Sequence, residues 1–163
     1  MRRIRKSKLG FTLVEMVIVM LVLGIMASTV APRYFEALDR YRVELVARKI
    51  IADLKFAQRE AQRTSSLKGV KFDVVQNSYF MIGVNDINRQ GQAYSFDLEN
   101  SDYQVKLHDA TFGGSSAIIF DIYGRPSAMG GVIVTCGDEA EGVVVEANGV
   151  IELSSVDLDW VTQ

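Results

Sequence analysis

A single carboxylate stands inside the most apolar part of this sequence. Residues 11–31 read FTLVEMVIVMLVLGIMASTVA, and Glu15 is the one charged residue among them. A charged side chain at the middle of a membrane helix costs about 2.5–3.5 kcal/mol on insertion scales. Glu15 either reaches the lipid headgroups from its place one helical turn after Phe11, or pairs with a positive group in an assembly that has left the lipid. Cleavage after Gly10 would create such a group, the α-amino group of Phe11.

The apolar run has the length of a membrane-spanning helix. A helix of its 21 residues covers about 30 Å, the hydrocarbon thickness of a bilayer. Residues 1–10 carry five basic residues and no acidic one, which predicts a cytoplasmic leader and an outward-facing remainder. The run continues to Pro32, so it exceeds the apolar core of an ordinary secretory signal and would survive a cut at Gly10. Pro32 predicts a helix kink, because its ring removes one helical hydrogen bond.

The segment from Lys8 to Glu15, KLGFTLVE, resembles the class III signal of type IV pilins and type II secretion pseudopilins. Glycine precedes the cut, phenylalanine follows it, and glutamate is the fifth residue after it. The resemblance implies that a membrane-embedded prepilin peptidase cuts between Gly10 and Phe11 and methylates the new amine of Phe11. It also implies that Glu15 neutralises the amine of a neighbouring subunit during filament assembly. Pro32 falls where many pilins carry a helix-bending proline.

Residues 32–66 predict an amphipathic helix. After Pro32 they contain neither glycine nor proline and are rich in good helix formers. Apolar residues recur at steps of three and four, which gives one stripe that we expect to pack on the following domain. The stripe consists of Val43, Ala47, Ile50, Leu54, Ala57 and Ala61.

Residues 67–163 predict a β-rich domain, because the apolar period changes to two. Strands are predicted over 70–74, 78–84, 103–107, 117–120, 132–136, 143–146 and 150–153. A turn is predicted at Gln76-Asn77, a hairpin at Asn148-Gly149, and a loop with little regular structure over 85–101. The fold class is therefore α+β, a long helix packed on a mostly antiparallel sheet, and the resemblance to pilins implies the pilin-like fold. The predicted segments are a leader (1–10), a transmembrane and assembly helix (11–31), a helical stem (32–66) and a periplasmic globular domain (67–163).

The globular part resembles the GspH/FimT group of minor pseudopilins and minor pilins. The resemblance rests on five short matches: AQREA at 57–61, VKF at 70–72, Tyr79-Phe80, Phe120-Asp121-x-x-Gly124 and Asn148-Gly149. It implies a structural subunit of the periplasmic pseudopilus of a type II secretion system, stored in the inner membrane and supporting protein secretion. Its position would be near the filament tip but not at it, since the tip-most subunit of this family lacks the glutamate. The implied partners are prepilin peptidase, major and minor pseudopilins and the inner-membrane assembly platform.

Other chemistry has weak support in the sequence. One cysteine and one histidine exclude an intrachain disulfide framework and a multi-cysteine zinc site, and we predict no enzyme, cofactor or metal. Cys136 is either a reactive thiol or, as we favour, a small buried residue, and His108 is favoured as a surface or satisfied side chain. We interpret Asp138, Glu139 and Glu141 as a solvated turn rather than a calcium site.

Two further segments allow alternative interpretations. The Gly113-Gly114-Ser115-Ser116 run is interpreted as a flexible loop rather than a phosphate cradle, because no Lys-Ser/Thr follows it. Trp160 either anchors a partner or packs the tail on the sheet, and the sequence does not decide between them.

An alternative function is a minor type IV pilin, FimT-like, that acts in pilus assembly or DNA uptake. Nucleic-acid binding requires clustered lysine and arginine on the surface. Residues 64–163 contain five basic and fourteen acidic residues, which argues against it, although folding could bring Lys68, Lys71, Lys106 and Arg125 together.

Overall fold

A computed structural model describes residues 11–86 and 91–154, and at residues 29–32 it describes the backbone alone. The chain forms two compact units with their boundary after Phe35. Helix α1 (Leu13–Thr64) is 52 residues long and passes through both units. The prediction of one long helix from the apolar run into the stem is confirmed.

The second unit is completed by eight strands in two antiparallel sheets. The strands are β1 (Lys68–Asp73), β2 (Ser78–Asn85), β3 (Ala93–Asp97), β4 (Lys106–Phe112), β5 (Ala117–Phe120), β6 (Gly130–Cys136), β7 (Glu139–Val145) and β8 (Ile151–Ser154). One sheet has the order β3-β2-β1-β5 and the other β4-β6-β7-β8. The α+β class is confirmed, and the antiparallel strands divide between two sheets.

The apolar stripe of the helix enters the core as predicted. All six of its residues, from Val43 to Ala61, have no solvent exposure. They join one cluster with buried side chains of both sheets, among them Phe72, Tyr79, Phe120 and Val143. Spacing alone identified this face because a packed helix can bury only the side that meets its neighbours.

Both predicted turns are present. Asn148-Gly149 lies between β7 and β8, which pair antiparallel, and Asn77 has a φ of 49° in the turn from β1 to β2. The Asn77 side chain is also buried. Its amide donates to Val105 O at 3.1 Å, and its oxygen accepts from the Leu107 N–H.

The segment predicted as a loop over 85–101 contains a strand, so that part of the prediction is wrong. Strand β3 pairs with β2 and alternates in burial, with Tyr94 and Phe96 half-buried on one side. These two aromatic residues carried the strand signal. The strand is short, and the polar and glycine residues around it favoured the prediction of a loop. Strand β3 lies at the edge of its sheet.

The strand predicted over 103–107 is displaced along the chain and forms β4, Lys106–Phe112. Its pairing with β6 shifts register between Leu107 and Asp109, so exposed His108 occupies an irregularity. Leu107, Ala110 and Phe112 are all buried. A bulge adds a residue and interrupts the alternation of buried and exposed positions. The predicted strand therefore ended at Leu107, before the bulge.

Two predicted loops have regular structure. The Gly113–Ser116 run forms a tight turn rather than a flexible loop, because Phe112 and Ser115 exchange two backbone hydrogen bonds at 2.7 and 3.1 Å. Of the three acids predicted in a solvated turn, Asp138 is exposed in the turn before β7, whereas Glu139 and Glu141 belong to the strand and are half-buried. Antiparallel pairing with β6 places Glu139 and Glu141 in a strand.

Candidate assembly interface

Helix α1 begins behind a threonine cap. The Glu15 N–H donates to Thr12 Oγ1 and the Met16 N–H donates to Thr12 O, both at 3.2 Å. A threonine followed three residues later by glutamate has the spacing of a capping box, and an acidic side chain in the first turn suits the helix dipole. The Thr-x-x-Glu spacing in the sequence is the signal of this cap, which was not among the predictions. The Glu15 side chain is exposed and can still meet a second molecule.

The apolar side chains at the start of α1 are exposed wherever the structure describes them. Every side chain from Phe11 to Ser28 is exposed, including Leu13 at 80% and Met20 at 71%. This part of α1 is long and apolar enough to cross a membrane. A soluble protein does not leave such a surface to water, so the first half of α1 requires lipid or other helices around it.

Two of the predicted site residues, Phe11 and Glu15, lie at the start of this helix. Phe11 is 76% exposed and precedes Glu15 by four residues. Gly10 lies outside the described residues, so the cleavage site itself remains a prediction. The backbone is helical at Pro32, but its side chain is not described and the kink also remains a prediction.

In the second unit, two glutamines connect the helix to glycine turns. Gln58 Nε2 donates to Gly124 O at 2.8 Å and to Gly149 O at 3.0 Å, and Gln62 Nε2 donates to Tyr123 O at 2.9 Å. Gly124 and Gly149 have φ values of 78° and 86°, which favour glycine. A Cβ at Gly124 would also lie 2.3 Å from Gln62 Nε2. The sequence predicted the Asn148-Gly149 hairpin turn but not that the helix binds it.

A partly buried polar network connects the helix to β2 and β3. Asp53 Oδ2 accepts from Lys49 Nζ at 3.1 Å and from the Tyr79 hydroxyl, while Lys49 also donates to Tyr94 Oη at 2.8 Å. Lys49 Nζ lies 4.5 Å from the ring centroid of Phe96, within cation–π range. Burial, with Asp53 nearby, raises the pKa of Tyr79. Burial lowers the pKa of Lys49, but the hydrogen bond with Tyr94 and the charge of Asp53 outweigh it, so that pKa is raised.

Cys136 and Glu141 lie beside the helix. Cys136 is half-buried rather than buried as predicted, with Sγ 3.5 Å from Asp39 Oδ1. Burial and Asp39 raise the pKa of this thiol, which disfavours the reactive thiolate. Burial and the charge of Glu44 raise the pKa of Glu141. Within 11–86 and 91–154 no three metal-ligating side chains come together.

The four basic residues that folding could have clustered are distributed over two strands and the loop after β5. Lys68 and Lys71 are on β1, Lys106 begins β4, and Arg125 follows β5. Lys68 Nζ donates to Gly83 O, and Lys71 lies 6.0 Å from the ring centroid of Phe80. Trp160 lies outside the described residues.

Comparison with protein families finds the prokaryotic N-terminal methylation motif over residues 5–31. That stretch contains the predicted cleavage site, Glu15 and the apolar run. No curated protein sequence matches the chain.

The fold resembles two kinds of solved minor subunit. Two structures of the minor pseudopilin EpsH from the type II secretion system of Vibrio cholerae align with TM-scores of 0.53 and 0.54, at 13% identity. They cover 70% and 71% of this chain and 97% of EpsH. The type IV minor pilin FimU of Pseudomonas aeruginosa aligns with a TM-score of 0.50 at 14% identity, covering 71% of this chain and 90% of FimU.

The chain carries the prokaryotic N-terminal methylation motif, and its fold is similar to those of the minor pseudopilin EpsH and the minor pilin FimU. Together with the exposed apolar helix, the motif indicates a membrane-anchored, pilin-like protein with a separate globular unit. In this pilin-like chain the candidate interface is the surface of the first half of α1. The glutamine contacts and the Asp53 network hold its second half to the sheets.

Proposed function

We propose that this chain is a minor pseudopilin, a structural subunit of the periplasmic pseudopilus of a type II secretion system. Before assembly it spans the inner membrane once, with a cytoplasmic N-terminus and a periplasmic C-terminal domain. The observation that carries the proposal is the exposed Glu15 in the first turn of α1, at the start of an apolar stretch whose described side chains, Phe11 to Ser28, are all exposed. The likeness to EpsH and FimU supports a pilin-like minor subunit, and the type II secretion system is the part of this proposal that goes beyond the fold.

The proposed assembly step is electrostatic. Cleavage between Gly10 and Phe11 by a prepilin peptidase leaves an amine, which is then methylated and stays positively charged. When apolar helices leave the lipid and bury against each other, the Glu15 carboxylate of one subunit pairs with the Phe11 amine of its neighbour. Pairing offsets the large cost of burying either charge alone.

The test is a comparison of Glu15→Ala and Glu15→Asp with the unchanged protein in its native host. We expect Glu15→Ala to remain in the membrane fraction but to enter filaments poorly, measured by crosslinking to neighbouring subunits. Glu15→Asp keeps the charge and should retain part of the incorporation. Normal incorporation of Glu15→Ala would remove the proposed role of the carboxylate.

Processing is tested on the same material. Mass spectrometry of the unchanged protein should find Phe11 as the N-terminal residue, carrying a methyl group on its amine. An intact leader would remove the source of the positive charge and leave an anchored protein without this assembly step.

A minor type IV pilin of pilus assembly or DNA uptake is the second candidate, and the likeness to FimU favours it. Genes beside this one distinguish the systems: a secretion ATPase, secretin and other pseudopilins support secretion, whereas pilus and competence genes support the alternative. A DNA gel shift at low salt tests uptake, and we expect no tight binding, because residues 64–163 have nine more acids than bases.

A further inference from the structure

We propose that Tyr34 and Phe35 form an aromatic anchor at the outer headgroup layer of the membrane, which fixes the depth of the subunit before assembly. The inference rests on the membrane-spanning helix of the proposed function and assigns its outer boundary. The partner of this anchor is the headgroup layer of the lipid bilayer.

The position of Tyr34 and Phe35 along α1 matches the outer headgroup layer. The charge-free stretch between Glu15 and Arg33 ends immediately before the aromatic pair. At 1.5 Å per residue, Tyr34 and Phe35 lie about 35 Å beyond Phe11 along α1. The hydrocarbon layer is about 30 Å thick and the headgroups bring the bilayer to about 40–45 Å. A helix that enters the hydrocarbon at Phe11 therefore brings both rings to the headgroup layer on the other side.

The exposed side chains of residues 33–35 have the chemistry of the membrane interface. Tyr34 is 64% exposed and Phe35 is 60% exposed, and their rings pack edge-to-face with centroids 6.0 Å apart. A tyrosine favours the membrane interface, where its ring lies in an apolar layer and its hydroxyl meets water. Phe35 has no hydroxyl and adds apolar ring surface through its edge-to-face contact with Tyr34. Arg33, also exposed, can reach the lipid phosphates, and guanidinium binds phosphate well.

Depth-dependent fluorescence quenching tests the anchor. The chain has one tryptophan, so Trp160→Phe gives a background into which single tryptophans are placed by Leu21→Trp, Tyr34→Trp, Phe35→Trp or Tyr123→Trp. The full-length variants are reconstituted into phosphatidylcholine vesicles whose acyl chains carry bromine either near the headgroup or near the chain ends. Tyr123, 70% exposed in the globular unit, is the matched control for Tyr34.

We expect tryptophan at positions 34 and 35 to be quenched most by bromine near the headgroup and tryptophan at position 21 by bromine near the chain ends. Tryptophan at position 123 should not be quenched. If positions 34 and 35 behave like position 123 while position 21 is quenched, the anchor is wrong and the membrane span stands. If position 21 is not quenched either, the membrane-spanning part of the proposed function fails too.

A second variant separates anchoring from the preference of tryptophan for interfaces. In the Leu21→Trp background, Tyr34→Ala with Phe35→Ala should shift the depth at which position 21 is quenched, whereas Tyr123→Ala should not. The same depth in both variants would overturn the anchoring role.

Discussion

The two halves of helix α1 have the same backbone and opposite surroundings. From Phe11 to Ser28 all side chains are exposed, whereas the stripe from Val43 to Ala61 is fully buried. The first half is apolar around its whole circumference, and the second is apolar on one side. A protein can cover one side of a helix with its own sheets, but a helix that is apolar all round needs another medium. The comparison shows that the second half packs on the protein's own sheets, whereas the described side chains of the first half, Phe11 to Ser28, are all exposed.

The largest expected effect comes from the buried stripe. Ile50→Ala removes a fully buried side chain and should destabilise the globular unit by about 2–5 kcal/mol, because it leaves a cavity in the core. Leu21→Ala, in the exposed half, is the control and should leave that unfolding transition unchanged. Thermal unfolding of the detergent-solubilised protein measures both, and equal effects would break the contrast between the halves.

The Asp53 network should contribute the next largest effect. Asp53→Ala leaves Lys49 and Tyr79 without the carboxylate that they share. Partly buried groups without their partner cost about 1–3 kcal/mol, which should lower the midpoint of denaturant unfolding. Glu36→Ala, an exposed acidic residue of the same helix, is the charge-matched control. An unchanged midpoint in Asp53→Ala would mean that water replaces the network without cost.

The glutamine contacts to the turns should contribute less. Gln58→Ala removes two hydrogen bonds from the helix to Gly124 and Gly149 and should cost about 1–2 kcal/mol. Its exposed neighbour Arg59 provides the control variant Arg59→Ala. Amide hydrogen exchange should increase in the two glycine turns of Gln58→Ala alone. Equal exchange in both variants would remove this contact from the forces that join helix and sheets.

The smallest expected effect depends on pH. The pKa of Glu141 is raised, chiefly by burial and then by Glu44, so its charged form is less favourable in the folded state. Glu141→Gln should therefore stabilise the protein above the raised folded-state pKa, by less than about 0.5 kcal/mol. The gain should disappear as pH falls below the unfolded-state value, because both states of the unchanged protein then carry a neutral side chain. Melting temperatures across acid and neutral pH measure it, and a gain that grows in acid would contradict this assignment.

The sequence by itself determined the features that depend on local spacing. Four such features could be predicted: the apolar run, Glu15 behind KLGF, the buried stripe and the Asn148-Gly149 hairpin. Each depends on residue types and spacings within one short segment of the chain. The Thr12 cap is equally local. It was not predicted because Thr12 and Glu15 also belong to the KLGFTLVE motif, which was interpreted as a cleavage and assembly signal.

The tertiary structure alone decided which distant residues meet. Nothing near Gln58 in the sequence indicates Gly149, 91 positions later, and Asp53 meets Tyr79 and Tyr94 only after β2 and β3 pair. The bulge at His108 and the edge strand β3 were also decided there, because strand register depends on the partner strand rather than on the strand's own sequence.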